Sequence, residues 1–290
     1  VEIARTLRTR DGVTLAYRVS RASAARGTLV LLHGLASNLT RWSEFVATTG
    51  LAASWNLLRL DLRGHAGSLD RGRIGFEEWC ADIAALLRAE GVRRAVLAGH
   101  CLGANLALWF AARSPREVSG LVLIEPMFRE ALRGPLATVA ALRPLLGALV
   151  PPLRALAALG LHRRRLEALD LAALDLEARA AMAHPGAGFP AARYASPLED
   201  LKSLPLSVYV QDLLAVTGPL PDLAGVAAPS LALVSTGTSF GDPEIAARQL
   251  ARLPNVEIER LAARHWIPAE RPQEMIALIE RWCGRLAAGN

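Results

Sequence analysis

The stretch Ala95-Val96-Leu97-Ala98-Gly99-His100-Cys101-Leu102-Gly103-Ala104-Asn105-Leu106 decides how the rest of the chain reads. Four apolar residues run into a pentad with glycine at both ends, and helix-forming residues follow from Ala104 to Arg113. The pattern is strand, sharp turn and helix, with Cys101 at the apex. In the serine form of this turn, G-x-S-x-G, small flanking residues let a strained backbone lift a nucleophile over a helix N-terminus. The next backbone N–H then faces a developing oxyanion. With cysteine at the apex the attacking species is a thiolate, which the positive end of the helix and a neighbouring imidazole both favour. The intermediate becomes a thioester. A small buried cysteine in an apolar G-x-x-x-G stretch would fit the same letters, but here strand and helix stand where the turn requires them.

Outward from this pentad, Thr28 to Leu32, Leu57 to Leu60 and Leu121 to Ile124 are short apolar runs that read as buried strands. Phe76 to Glu90 has helical spacing. Strand character returns at Ser230 to Val234 and Val256 to Leu261, with helices near Pro243 to Leu253 and Pro272 to Leu286. Such alternation predicts an α/β fold, a mostly parallel central sheet with helices on both faces, joined by right-handed crossovers. Thr6 to Ser20 alternates around Asp11-Gly12, which predicts a hairpin of two edge strands. From Pro126 to Ala228 the rhythm changes to apolar helical segments broken by Pro144, Pro151, Pro152, Pro185, Pro190 and Pro205. We read residues 1–125 and 229–290 as the core and 126–228 as an inserted helical cap.

Composition narrows the function. The 290 residues can bury a large core without a linker, and a mean hydropathy of +0.27 leaves apolar surface for a greasy ligand. The net charge of +6 comes almost wholly from arginine, and its one dense cluster, Arg163-Arg164-Arg165, has no interleaved aromatics. It reads as a solvated helix face, so no nucleic-acid partner is expected. Cys80, Cys101 and Cys283 are too scattered for a disulfide framework and lack metal-ligand spacing. No metal and no cofactor are expected, and a reducing, cytoplasmic setting is. Val1 to Arg10 has no apolar signal-peptide core. The greasiest segment, Pro144 to Leu161, holds Pro151, Pro152 and Arg154, which argues against stable membrane insertion. The oligomeric state stays open.

These motifs together resemble the α/β-hydrolase superfamily over the whole chain except the cap. His33-Gly34 resembles its oxyanion loop after the third strand. Asp61-Leu62-Arg63-Gly64-His65-Ala66-Gly67-Ser68 resembles its D-x-R-G-x-G-x-S turn with one residue inserted. Gly99 to Gly103 is similar to its elbow, and Arg264 to Pro272 resembles its G-H-x-x-x-x-E-x-P stretch. A cysteine apex is similar to that of polyhydroxyalkanoate synthases, which are longer, and of dienelactone hydrolases, which do not require a cap.

The resemblance implies the remaining parts of a site. A cysteine nucleophile needs a base, and the base an orienting acid. His265, on the loop after the strand Val256 to Leu261, is the candidate base. His33 is implied to bond within its own loop, His65 to lie in a surface turn, and His100 to flank the nucleophile. His162 and His184 fall in the cap, in a solvent-facing or substrate-lining role. Thr238, not aspartate, stands at the family's usual acid position after the seventh strand. Glu125, at the end of the sixth, is the first candidate acid, a position used by haloalkane dehalogenases. Asp242 is the alternative, although Asp242-Pro243-Glu244 also reads as a helix N-cap. A dyad with no acid is the third possibility. Backbone N–H groups of Leu35 and Leu102 are the candidate oxyanion donors.

The reaction expected is hydrolysis of an ester, lactone or thioester through a cysteinyl acyl-enzyme. The partner expected is a small molecule with an apolar acyl portion. Leu136, Leu142, Leu145, Leu149 and Leu153 could line its groove or simply pack in the core. Two alternatives remain: an acyltransferase that passes the thioester to an amine, thiol or hydroxyl, and a noncatalytic ligand-binding relative.

Overall fold

In the computed structural model, which describes residues 1–184 and 188–288, the apolar runs become strands because both of their faces find cover. Among the described residues one sheet holds β1 (Glu2–Arg8), β2 (Thr14–Ser20), β3 (Gly27–Leu32), β4 (Trp55–Leu60), β5 (Ala95–His100), β6 (Val118–Ile124), β7 (Ser230–Ser235) and β8 (Val256–Leu261). Their spatial order is β1-β2-β4-β3-β5-β6-β7-β8. β2 runs antiparallel to β1 and β4, and every other pairing is parallel. The expected α/β class is therefore present. The hairpin forms around Gly12, whose φ of +87° suits glycine. Of the hairpin's two strands only β1 lies at an edge of the sheet, because β2 also bonds β4, which corrects the expectation of two edge strands there.

Helices fill both faces: α1 (Ser43–Thr48), α2 (Phe76–Ala89) and α3 (Leu102–Arg113) precede β6. α4 (Gly134–Ala141), α5 (Arg143–Ala158), α6 (Leu171–Met182), α7 (Ala191–Tyr194), α8 (Pro197–Ser203) and α9 (Leu206–Val216) lie between β6 and β7. α10 (Pro243–Leu250), α11 (Ile267–Glu270) and α12 (Pro272–Ala288) complete the chain. Side chains alternate across the sheet. Leu29, Leu31, Val96 and Ala98 join Trp42, Phe45 and Trp282 on one face, while Val30, Leu32 and Leu97 join Trp79, Ile83 and Phe110 on the other. Each such fully buried aliphatic contributes about 1.5–3 kcal/mol, which fixes the strand ends that carry the site.

The segment 126–228 holds helices and, among the described residues, no strand. Ion pairs tie it to the loops and helix beside the strand ends: Arg41 with Asp175 of α6 at 2.5 Å, Arg179 of α6 with Glu44 of α1 at 2.7 Å, and His65 with Asp212 of α9 at 2.8 Å. His65 is fully buried, not in a surface turn, because α9 covers the Asp61–Ser68 loop. Pro151 and Pro152 do not break α5, since both face solvent and water can serve the carbonyls that lose their partners. Pro144, Pro190 and Pro205 stand at helix starts or N-caps, and Pro185 lies outside the described residues. Arg163, Arg164 and Arg165 are exposed in a non-helical connection, not on a helix face. Among the described residues no single helix is long and apolar enough to cross a membrane.

Candidate active site

Two strand ends and one loop build the site. β5 ends at His100, paired with Ile124 of β6, so the residues that follow each strand are neighbours. Those residues are Cys101 and Glu125. Both leave the sheet with a left-handed backbone, φ of 53° at Cys101 and 52° at Glu125, a conformation costly for non-glycine residues and typical of functional turns. Cys101 N–H donates to Ile124 O at 2.9 Å, and Glu125 N–H to Leu233 O at 3.0 Å, which hold the two bends in place.

The elbow glycines are required by packing. A Cβ on Gly99 would stand 2.2 Å from the Gly103 carbonyl carbon, and one on Gly103 would stand 2.4 Å from Leu32 O. Cys101 is the N-cap of α3, so its sulfur sits where the helix end favours negative charge. Gly34 passes directly over it; a Cβ there would be 3.3 Å from Cys101 Cβ. The loop thus brings Leu35 beside the cysteine. Neither Leu35 N–H nor Leu102 N–H donates to a protein acceptor among the described residues.

His265 reaches this point from the far end of the chain. Its Nδ1 lies 3.1 Å from Glu125 Oε2, while Ser235 N–H donates to the other carboxylate oxygen of Glu125. Burial works against charge on His265, but Cys101 and Glu125 outweigh it and lift the imidazole to about 10. Both neighbours therefore favour the protonated ring. His100 stays neutral, its pKa pushed well below the ordinary value by burial and by the charges of His265 and Arg41. Its Nε2 donates to His265 O at 3.0 Å. Glu270 fixes the rest of the loop by accepting N–H bonds from Arg264, His265 and Trp266 at 3.0, 3.2 and 3.0 Å.

Asp242 is elsewhere. It caps α10, accepting from Glu244 N–H at 3.0 Å and Ile245 N–H at 3.1 Å, and pairs with Arg133 at 3.2 Å. Those N–H bonds, aided by Arg133, hold its carboxyl below the usual carboxylate range. It makes no contact with His265 among the described hydrogen bonds. Thr238 is exposed. His33 donates from Nδ1 to Gly34 O at 2.9 Å and accepts from Leu62 N–H at 3.0 Å, so it fastens the loop above Cys101.

A cavity of about 390 Å³ opens over Cys101 and His265. Leu136, Val139, Leu171 and Leu213 of the inserted segment form much of its apolar wall, with Trp266 and Phe240 beside the imidazole. Leu142, Leu145 and Leu149 do not line it; they are 46%, 61% and 45% exposed, which corrects both readings made for them. Leu153 is half-buried and also outside it. Arg41, Asp200 and Tyr209 supply polar points in the wall, and no motif in the sequence marked them. Burial, with the nearby Asp212, pushes Asp200 up to about 7 against the opposing effect of Tyr209. A larger hollow of about 730 Å³ near Asn38 and Asp61 contains no cysteine or histidine. Among the described residues no group of three His, Cys, Asp or Glu is placed to hold a metal ion.

Residues 27–272 match the sequence profile of the family described as alpha/beta hydrolase fold. The 2-succinyl-6-hydroxy-2,4-cyclohexadiene-1-carboxylate synthase of Serratia proteamaculans (strain 568) is 30% identical over 106 residues, 36% of this chain and 40% of that protein. The chain spans less than half the length of the curated relatives it matches. Among solved structures, a hydrolase from Pseudomonas aeruginosa PA01 superposes with a TM-score of 0.67 at 22% identity, covering 97% of this chain and 98% of its own. The enol-lactonase from Burkholderia xenovorans LB400 superposes with a TM-score of 0.69 at 18% identity, covering 97% of this chain and 100% of its own.

Proposed function

We propose, since the chain belongs to the alpha/beta hydrolase fold family, that it is a hydrolase that cleaves a carboxylic ester, lactone or thioester through an acyl group carried on Cys101. The observation that supports this reading is the position of His265, with Cys101 on one side and the Glu125 carboxylate at 3.1 Å on the other, both favouring the protonated ring.

In this mechanism the Cys101 thiolate attacks the substrate carbonyl carbon, and the carbonyl electron pair moves to oxygen. Leu35 N–H and Leu102 N–H receive that oxyanion, a term worth about 3–4 kcal/mol per donor in comparable sites. As the tetrahedral species collapses, the bond to the leaving group breaks and His265 gives that group its proton. The acyl group remains as a thioester on sulfur. Water then attacks the thioester while neutral His265 takes its proton, and the acid leaves with Cys101 again a thiolate beside an imidazolium. Glu125 orients the ring and balances its positive charge throughout. The leucine and valine wall of the cavity suits an apolar acyl chain.

Rapid quenching during turnover of a p-nitrophenyl ester, followed by intact and peptide mass analysis, tests the proposal. One acyl group is expected on Cys101, and Cys101→Ala should carry none and lose turnover. Undiminished turnover by Cys101→Ala would overturn it.

A further inference from the structure

On α5 the polarity is inside out. Every exposed position between 141 and 161 is leucine, alanine, proline or glycine, with Leu145 61%, Leu159 76% and Leu161 66% exposed. Leu142, Leu145, Leu149, Leu156 and Leu159 recur at helical spacing on one solvent-facing stripe, where a water-washed helix carries its charges. The helix's own arginines turn away from that stripe. Arg143 donates to Leu214 O and to Thr217 Oγ1, and Arg154 is half-buried.

Within the segment itself the charge is of one sign, although Arg133 is paired with Asp242 from outside it. Six arginines and no aspartate or glutamate lie between residues 131 and 166, a local +6 equal to the net charge of the whole chain. Arg163, Arg164 and Arg165 stand exposed just beyond the leucine stripe. Arg163 meets Glu167 at 3.3 Å, and Arg164 and Arg165 have no carboxylate partner among the described residues. A second copy of this face would offer those arginines no carboxylate from the same segment. An anionic lipid headgroup layer offers both the negative charge and the apolar depth.

We propose that α5 lies flat on an anionic lipid surface, with its leucine stripe at the headgroup–acyl boundary and Arg163, Arg164 and Arg165 on lipid phosphates. The helix lies on the layer and does not cross it: sixteen residues span about 24 Å, short of a hydrocarbon core of about 30 Å. α4 meets α5 at a 75° bend and carries Leu136 and Val139, which wall the Cys101 cavity. Lipid contact would therefore adjoin the cavity wall. The proposal stands independently of the reaction assigned to Cys101.

Co-sedimentation with vesicles of phosphatidylcholine alone, and of phosphatidylcholine mixed with phosphatidylglycerol, tests it. Binding to the mixed vesicles should be at least about tenfold stronger and should fall to the neutral-vesicle level in high salt. The combined variant Arg163→Glu, Arg164→Glu, Arg165→Glu should lose the preference. Leu145→Asp, Leu149→Asp, Leu156→Asp should weaken binding to both vesicles, while the far-UV circular dichroism spectrum and a cooperative thermal transition are retained as a check on folding. Equal binding to both vesicles, or none, by the wild-type protein would overturn the proposal without any variant. So would a dimer in analytical ultracentrifugation that the three aspartates dissolve, which would give the face to a second copy.

Discussion

Glu125 Oε2 and His265 Nδ1 meet at 3.1 Å although 140 residues separate them, because β6 and the loop after β8 end at the same place on the sheet. Glu125 is one of the two groups that lift His265, so its removal must lower the imidazole pKa. The wild-type rate should fall on the alkaline side near pH 10, where the proton for the leaving group is lost. Glu125→Gln should cut kcat by about 10²–10⁴-fold and move that limb toward neutrality. Asp242→Asn should leave both unchanged, and pH–rate profiles of the two variants decide between these carboxylates.

The three cysteines should differ sharply toward iodoacetamide. Burial pushes Cys80 and Cys283 up to about 12, and neither has a cation that compensates fully. Cys101 faces the cavity between a helix N-terminus and an imidazolium. Peptide mapping after brief alkylation at neutral pH should find the label on Cys101 alone, with activity lost in step.

Glu270 should matter to rate and stability together. Its carboxylate gathers three consecutive backbone N–H groups around His265, and charge-assisted bonds of this kind are each worth about 1.5–3 kcal/mol. Glu270→Ala should lower the midpoint of thermal unfolding by several degrees and reduce kcat more than it changes KM, since the loop that aims the imidazole is released.

The buried pair of His65 and Asp212 predicts a pH signature in stability. Burial opposes charge on His65, yet the Asp212 carboxylate outweighs it and raises the pKa above the ordinary 6.5. A raised folded-state value means that the stabilisation is fully present below about 6.5 and is lost as pH climbs through the folded-state value. Asp212→Ala should cost about 3–5 kcal/mol in mildly acidic solution, and urea unfolding at a series of pH values should show that deficit shrinking as pH rises.

Much of this architecture was legible because both faces of the sheet are covered. β3 and β5 are buried at almost every position, so the apolar runs Leu29 to Leu32 and Ala95 to Ala98 stand out, and the pentad that closes β5 follows from them. Cys101, Glu125 and His265 were also legible one by one, from strand ends and the His-to-Pro stretch, and the structure brings them together. What stayed hidden depends on contacts distant in sequence. His65 sits in a polar turn, and nothing local tells that Asp212 will cover it 147 residues later. Arg41 and Asp175 form a buried pair across 134 residues, with no motif at either end. The prolines of α5 misled for a different reason: each costs a backbone donor, but on a solvent-facing turn that loss is served by water and the helix continues.

Carrying the carboxylate on β6 has a consequence for how such a protein can diversify. In the proposed mechanism the turn beyond β7 need not present an acid, and its Phe240 instead leans edge-on against His265 at 4.9 Å between ring centroids while facing the cavity. That turn can change length and composition, and so retune which molecules fit, while the contact between Glu125 and His265 stays untouched.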